Sequence, residues 1–392
     1  MDLYDINNDI EKRMQERADR EFIPVGGTLE LLPLCNMSCK MCYVRQTKKE
    51  MDAQGRMLSC NEWLGIVRQA VDRGLLFLLL TGGEPLLYPD FKKLYVGLSQ
   101  MGLVLSVNTN GTLLNEDWVK FFVQNGVRRL SITLYGADDA TYDRLCGNPQ
   151  GFTQLMRAAD LLKKNDVPFR FTCSVTPYNV DQLGELYGIA EKYGVALDAA
   201  TYMFPPARRR VKADNSRLTP VESARAQIRD FRMENKDKDM ALTARVTLSK
   251  MKLPPRFENC EGFTCHAGKS GFWMNWKGEM LPCGMFNEPK ISMLEHSFDT
   301  CWDYIVNVCK RIPKCEKCMK CEKQNICMAC LAANYTETGS TSGCPEYLCE
   351  RTDEQIRICE EIAEAHGGKE GPILLSSEEF NDFLKRIKYE NQ

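Results

Sequence analysis

The chain has 392 residues, 44% of them apolar and 27% charged, with a formal net charge of −2. That length allows two or three domains and a well-buried core. The charge balance leaves no basic footprint for nucleic acid and no general attraction to anionic membranes. The N-terminus is polar, so no secretory signal is visible, and the longest apolar run, Leu75–Leu80, is far too short to span a bilayer. These features describe a cytoplasmic protein with neither a nucleic-acid nor a membrane partner.

From residue 28 onward the chain reads as repeated strand–helix units. β-Branched or apolar runs fall at Thr28–Leu34, Leu75–Thr81, Leu103–Thr109, Arg128–Leu134, Phe169–Val175 and Val195–Thr201. Helical patterns lie between them. One opens at Ser59 with Glu62 as a capping box and places Leu64, Val67, Ala70 and Val71 on one face. Others cover 90–101, 116–125, 152–165 and 181–193, several ending at a glycine: Gly74, Gly102, Gly126, Gly194. Six strands alternating with helices imply a parallel α/β sheet with right-handed crossovers. Periodicity leaves open whether that sheet is flat or curls into a partial barrel.

Residues 205–256 read as a bridge: a basic, proline-rich stretch and then a charged helix opened by Thr219, Pro220 and Glu222. A final short helix is expected after Ser376, with Glu379 at its third position. The resulting division is an N-terminal extension (1–27), an α/β unit (28–204), the bridge, a cysteine-rich unit (257–360) and a helical tail (361–392).

The cysteines break the ordinary composition. There are nineteen, thirteen of them after residue 259, against three histidines. In a reducing compartment, clustered cysteines point to metal or iron–sulfur ligation rather than disulfides, and too few histidines remain for Cys₂His₂ fingers. Cys35, Cys39 and Cys42 have the spacing C-x₃-C-x₂-C just after the first strand. Three thiolates on one loop can hold three corners of a 4Fe–4S cluster and leave the fourth iron open to a small molecule. A zinc loop completed by a distant ligand is the alternative. Cys60, Cys146, Cys173, Cys301, Cys309 and Cys359 lie within helix or strand patterns and read as core thiols.

At Cys35–Cys42 the sequence resembles the radical S-adenosylmethionine (SAM) superfamily. The resemblance implies that these cysteines bind the catalytic cluster and that SAM takes the open iron, where reductive cleavage yields a 5′-deoxyadenosyl radical that abstracts a substrate hydrogen. It also implies a partial (β/α)₆ TIM-like barrel. Gly82-Gly83-Glu84-Pro85 resembles the family's GGEP motif, which contacts the cofactor's amino group. Two glycines would bring backbone carbonyls near the ligand, and the carboxylate would favour an ammonium. Asn110 and Ser131 resemble positions that contact the ribose and carboxylate, and Tyr43 stands where the family places the adenine. Tyr142-Asp143-Arg144 through Gly151-Phe152 resembles the next family segment, with Tyr142 in place of a histidine. Such segments belong at the C-terminal ends of parallel strands, where α/β folds build their sites.

The C-terminal cysteines could be two zinc ribbons by spacing alone. After such a core they resemble the SPASM extension, which implies two auxiliary 4Fe–4S clusters. Carried over by motif, Cys260, Cys265, Cys283 and Cys330 would hold the first, and Cys318, Cys321, Cys327 and Cys349 the second. Cys344 could replace Cys349, and Cys315 offers a competing register, Cys315/Cys318/Cys321. The gap from Cys327 to Cys330 is also one residue shorter than the family's. Auxiliary clusters suit reactions that oxidise a substrate radical, since cluster potentials run from about −700 to +450 mV.

The resemblance further implies maturation of a ribosomally made peptide or protein, by cross-linking or oxidation, fed by a reduced flavodoxin or ferredoxin-type donor. The sulfatase-maturing branch fits less well, because Gly284 follows Cys283 where that branch has an aspartate. The N-terminal segment is too short for a fused leader-binding domain, so a separate leader-binding partner, or none, is expected. The Arg208–Arg210 run could meet an acidic leader, although a solvated loop is the simpler reading. A radical SAM enzyme acting on a small molecule such as a tetrapyrrole, and a non-catalytic iron–sulfur carrier, are the alternatives.

Overall fold

A computed structural model describes residues 9–206, 216–234, 240–256 and 262–365. Six strands, β1 (Gly26–Glu30), β2 (Phe77–Thr81), β3 (Val104–Thr109), β4 (Arg129–Thr133), β5 (Phe169–Ser174) and β6 (Leu197–Ala200), pair in parallel in sequence order. On the other side of β1 the sheet continues through β7 (Gly271–Met274), which is parallel to β1, and then antiparallel β8 (Glu279–Leu281) and β9 (Ile291–Ser292). The sheet is therefore open, with β6 and β9 at its edges. The cysteine-rich region is not merely appended, because its first strand is hydrogen-bonded into the barrel sheet.

Period-two alternation gives this sheet two unlike faces. Leu29, Leu78, Leu80, Leu105, Val107, Leu130, Ile132 and Phe171 are buried and join one core with the helices. The intervening residues Glu30, Ser106, Asn108, Ser131, Arg170 and Asp198 line the opposite, polar face, where Arg170 pairs with Asp198. Parallel strands wrapped by helices usually read as continuous apolar runs. Here the polar row marks a face kept for something other than packing.

The helix from Cys60 to Asp72 carries the expected capping box at Ser59. Its buried face is Cys60, Trp63, Ile66, Val67 and Ala70, whereas Leu64 and Val71 lie only half-buried at its margin. Trp63, fully buried, rotates the stripe by about one residue from the expected one. Thr219 and Glu222 also form a capping box, with Thr219 N donating to Glu222 at 2.9 Å and Glu222 N to Thr219 at 3.2 Å. The 205–256 stretch does more than bridge. Its helices Pro220–Glu234 and Met240–Ser249 pack on the long helix Glu346–Ala365 through Ile228, Met240, Ala244, Ile358, Cys359 and Ile362. No helix among the described residues is long and apolar enough to cross a membrane. The Arg208–Arg210 run, Cys260 and the helix expected after Ser376 lie outside the described residues.

Candidate functional site

The loop after β1 carries Cys35, Cys39 and Cys42, all half-buried at the C-terminal end of the parallel strands. It is fastened from three sides. Gly83 N donates to Leu32 O at 2.7 Å and Glu84 N to Leu34 O at 2.9 Å, so the turn after β2 lies directly on the loop's backbone. Ser38 N donates to Cys146 O at 2.8 Å and Lys40 N to Leu145 O at 3.0 Å, which ties the loop to a helix end. On the third side Asn110 donates through Nδ2 to Asn36 at 2.8 Å and to Cys35 Sγ at 3.7 Å.

Close packing requires both glycines. A Cβ on Gly82 would stand 2.5 Å from Leu32 O, and one on Gly83 would stand 2.2 Å from Leu34 O. Gly82 also has φ of +146°, a conformation L side chains rarely adopt. These glycines let the turn after β2 lie against the cysteine loop.

Glu84 is fully buried. Its carboxylate accepts from Thr109 Oγ1 at 2.8 Å, Asn110 N at 2.8 Å and Leu86 N at 3.1 Å. Burial pushes its pKa up to about 7, against the pull of those three donors. Expected as an ammonium partner, the side chain is satisfied within the chain and fastens the end of β2 to the end of β3. Asn110 joins the cysteine loop as described, its Oδ1 turned back to Thr112 N at 3.0 Å. Tyr43 follows Cys42 and is half-buried.

Ser131 is on the fourth strand, as expected. It lies in the middle of β4, buried, and accepts from Arg170 Nε at 3.3 Å. It belongs to the polar face of the sheet but not to the strand-end rim, because β4 runs on to Thr133. Tyr142 acts as a latch: it donates to Thr133 O and accepts from Tyr135 N, both at 3.1 Å. Gly151 must be glycine there, since a Cβ would sit 2.3 Å from the Tyr142 ring.

The donor set fits an iron–sulfur cluster. Backbone N–H groups point at the sulfurs, Met37 N to Cys35 at 3.4 Å and Arg45 N to Cys42 at 3.2 Å, as suits thiolates carrying negative charge. Burial pushes the Cys35 thiol up to about 12, so a bound cation is needed to hold it as thiolate. One neighbour was invisible in the sequence: the Cys146 thiol, fully buried, lies beside Cys39 and, with burial, raises its pKa. Its partner is more than a hundred residues away, and no local pattern distinguishes it from the other core thiols.

In the C-terminal region Cys265 and Cys330 lie close enough to interact electrostatically, and Cys309 does so with both Cys265 and Cys283. N–H···S bonds recur, Met285 N to Cys283 and Ala333 N to Cys330, both at 3.4 Å. Cys309, expected only as a core thiol, is thus a neighbour of this group. The second group brings forward the alternatives Cys315 and Cys344. The structure brings Cys315, Cys318 and Cys344 together, with Cys349 3.5 Å from Cys344 and close enough to Cys327 to interact electrostatically. The reason is local: Cys315 caps a short helical turn, Glu316–Met319, that turns Cys318 toward Cys344. His266, the one histidine near a cysteine cluster, is paired with Asp19 at 2.9 Å. Gly284 lies under Trp273, where a Cβ would stand 2.9 Å from the ring, so an aspartate would not fit without movement.

Between the end of β1, the cysteine loop and the β7–β8 hairpin is an open cavity of about 370 Å³, lined by Glu30, Gln46, Gln54, Asn275, Lys277 and Asn287 among others. Trp273 Nε1 donates to Glu30 at 3.1 Å along its wall.

Residues 29–188 match the family described as the Radical SAM superfamily. AdoMet-dependent heme synthase of Methanosarcina barkeri is 24% identical over 79% of this chain and 92% of that protein. Sporulation killing factor maturation protein SkfB of Bacillus subtilis is 27% identical over 42% of this chain and 39% of its own length. The crystal structure of Streptococcus suis SuiB bound to precursor peptide SuiA has the same fold, with a TM-score of 0.65 at 18% identity over 88% of this chain and 82% of that one.

Proposed function

The chain belongs to the radical SAM superfamily through residues 29–188 and is an enzyme; from that premise we propose that it modifies a ribosomally made peptide or a protein. Cys35, Cys39 and Cys42 hold the 4Fe–4S cluster in this reading, and SAM binds beside it. When bound, the pair supplies reductive cleavage of SAM and a radical able to take a substrate hydrogen. The chain's own residues do the positioning. Glu84 and Asn110 fix the loop that carries the thiols, and the polar face of the sheet presents Asn108, Thr133 and Ser131 to whatever enters.

The observation that carries the peptide reading is the open polar cavity beside the cysteine loop. Gln46, Gln54 and Asn287 line it with carboxamides, which both donate and accept and so match a peptide backbone. Two relatives are in keeping with it, since SkfB is named for maturation of a killing factor and SuiB is bound to a precursor peptide. Cys265, Cys283 and Cys330, with Cys260, are proposed to hold one auxiliary cluster, and a reduced flavodoxin or ferredoxin-type protein to deliver the electron.

A second reading, chemistry on a tetrapyrrole, is favoured by the match that spans 92% of a heme synthase. A flat macrocycle calls for an apolar slot, which this cavity does not offer. The test is anaerobic. The chain is reconstituted with iron and sulfide, supplied with dithionite and SAM, and incubated in parallel with peptides encoded beside its gene and with tetrapyrrole precursors. A mass shift in a peptide is expected. A shift confined to a tetrapyrrole would sink the peptide reading while leaving the enzyme class intact.

A further inference from the structure

Arg351 stands in the second turn of the long helix Glu346–Ala365 and is wholly buried. A buried guanidinium is costly unless a negative group answers it. Among the described residues, every hydrogen bond this one gives goes to a neutral oxygen. Nε donates to Ser223 Oγ at 2.8 Å, and Nη2 to Thr201 Oγ1 at 3.3 Å and to Gln227 Oε1 at 2.5 Å. Nη1 is buried and has no hydrogen-bond partner among the described residues. The arginines around it are treated otherwise. Arg217 pairs with Glu337, Arg225 with Glu354 at 2.9 Å, and Arg357 with Glu354 at 2.8 Å. The deepest of these guanidiniums is the one that no described carboxylate meets.

Three groups act on Arg351 electrostatically: Tyr347, Cys327 and Tyr202. Both phenols are held as neutral donors, Tyr347 donating to Leu218 O and Tyr202 to Glu337, each at 2.8 Å. Cys327 is therefore the one of the three whose charge changes when a metal arrives, because a cysteine ligand binds as thiolate. It is half-buried, packs against the cluster of Tyr202, Ala333 and Leu348, and lies near Cys349, two residues before Arg351. Four thiolates outweigh the charge of a zinc ion and that of a 4Fe–4S core alike, so the sign is the same for either metal.

We propose that Arg351 is the buried counter-ion of an anionic metal–thiolate centre that includes Cys327, a positioning residue that ties this centre to the barrel. The guanidinium stays charged throughout, and loading the thiols supplies the negative charge its surroundings lack. Its other bonds carry the link outward. Thr201 directly follows β6, and Ser223, on the helix Pro220–Glu234, donates to Thr201 O at 2.7 Å. Metal held at Cys327 and the last parallel strand thus share one side chain. The proposal rests on the C-terminal cysteines holding metal and is independent of the peptide reading.

The test uses the full-length chain with Cys35, Cys39 and Cys42 replaced by alanine, so that only the C-terminal thiols report. It is loaded anaerobically with iron and sulfide, or with zinc, and the metal is titrated away with a competing chelator. Arg351→Met is expected to weaken the hold on metal about 10- to 100-fold, and Arg351→Lys to recover most of it by restoring the charge. With Cys327→Ser in the same chain, Arg351→Met should cost far less. Equal losses in Arg351→Met and Arg351→Lys, or a loss undiminished by Cys327→Ser, would overturn the proposal and leave Arg351 a packing residue. A chain that takes up no metal at all would overturn the metal reading first, and the proposal with it. Should Arg351→Met fail to fold, the metal-free chain decides. Cys327→Asp should melt higher than its isostere Cys327→Asn, because only the carboxylate answers the guanidinium, and equal melting temperatures would overturn the proposal.

Discussion

The cysteine loop after β1 and the segment from Cys315 to Cys349 contain the same C-x₂-C spacing, yet they are held in opposite ways. The first is set by the barrel: Gly83, Glu84, Cys146 and Asn110 each bond to it, and its sulfurs stay apart. The second has its sulfurs gathered against each other, Cys318 on Cys344 and Cys344 on Cys349. The same spacing thus leaves the thiols at different separations in the two segments, because the frame around each differs.

The sharpest way to break that comparison is at the first site. Replacing Cys35, Cys39 and Cys42 together with alanine is expected to reduce 5′-deoxyadenosine formation to background, measured by chromatography under anaerobic conditions, while the frame keeps its far-ultraviolet circular dichroism. Retained product would mean that the loop is not the reacting centre. Metal removal comes next. Treating the whole protein with chelator is expected to expose the 315–349 region to protease before the α/β unit, because a metal held by its clustered thiols would contribute to that region's shape.

Gly83→Ala tests the frame itself. A Cβ 2.2 Å from Leu34 O must push the cysteine loop off β2, at a cost of about 2–4 kcal/mol in thermal or denaturant unfolding. An unchanged melting temperature would contradict the close contact. Glu84→Gln is smaller, about 1–3 kcal/mol at neutral pH, since its amide would confront N–H donors where the carboxylate accepts.

Glu84 also gives a pH signature. Its folded pKa of about 7 lies above the ordinary 4.5. The folded state therefore holds the proton more tightly, and stability is greatest below about 4.5 and declines as pH rises through about 7. Urea titrations across this window should show that decline in the parent chain and less of it in Glu84→Gln. At the low end, Lys48→Ala breaks only an exposed pair with Asp52 and should change stability by less than about 0.5 kcal/mol.

The parallel α/β order, the cysteine loop and the strand-end glycines were legible in the sequence because each is local: period-two runs, a tight C-x₃-C-x₂-C, a turn directly after a strand. What escaped is non-local. Cys146 meets Cys39 only because a helix end returns to the loop, and Ser131 finds Arg170 across neighbouring strands. The polar face of the sheet was hidden in strands that looked uniformly apolar until pairing separated the odd from the even residues. In the C-terminal region the turn at Cys315 sets Cys318 beside Cys344, and such a local turn is held by hydrogen bonds too weakly encoded to read.

The pairing of β1 with β7 has a kinetic meaning as well. Gly26 to Leu29 bond in register with Gly271 to Met274, so the strand leading into Cys35 and the strand that follows Cys265 are neighbours in one sheet. Electron tunnelling falls steeply with distance, and a gap bridged by backbone hydrogen bonds cannot widen as the protein breathes. Any electron passed between the two cysteine regions therefore crosses a separation fixed by the fold, at a rate that substrate binding need not first prepare.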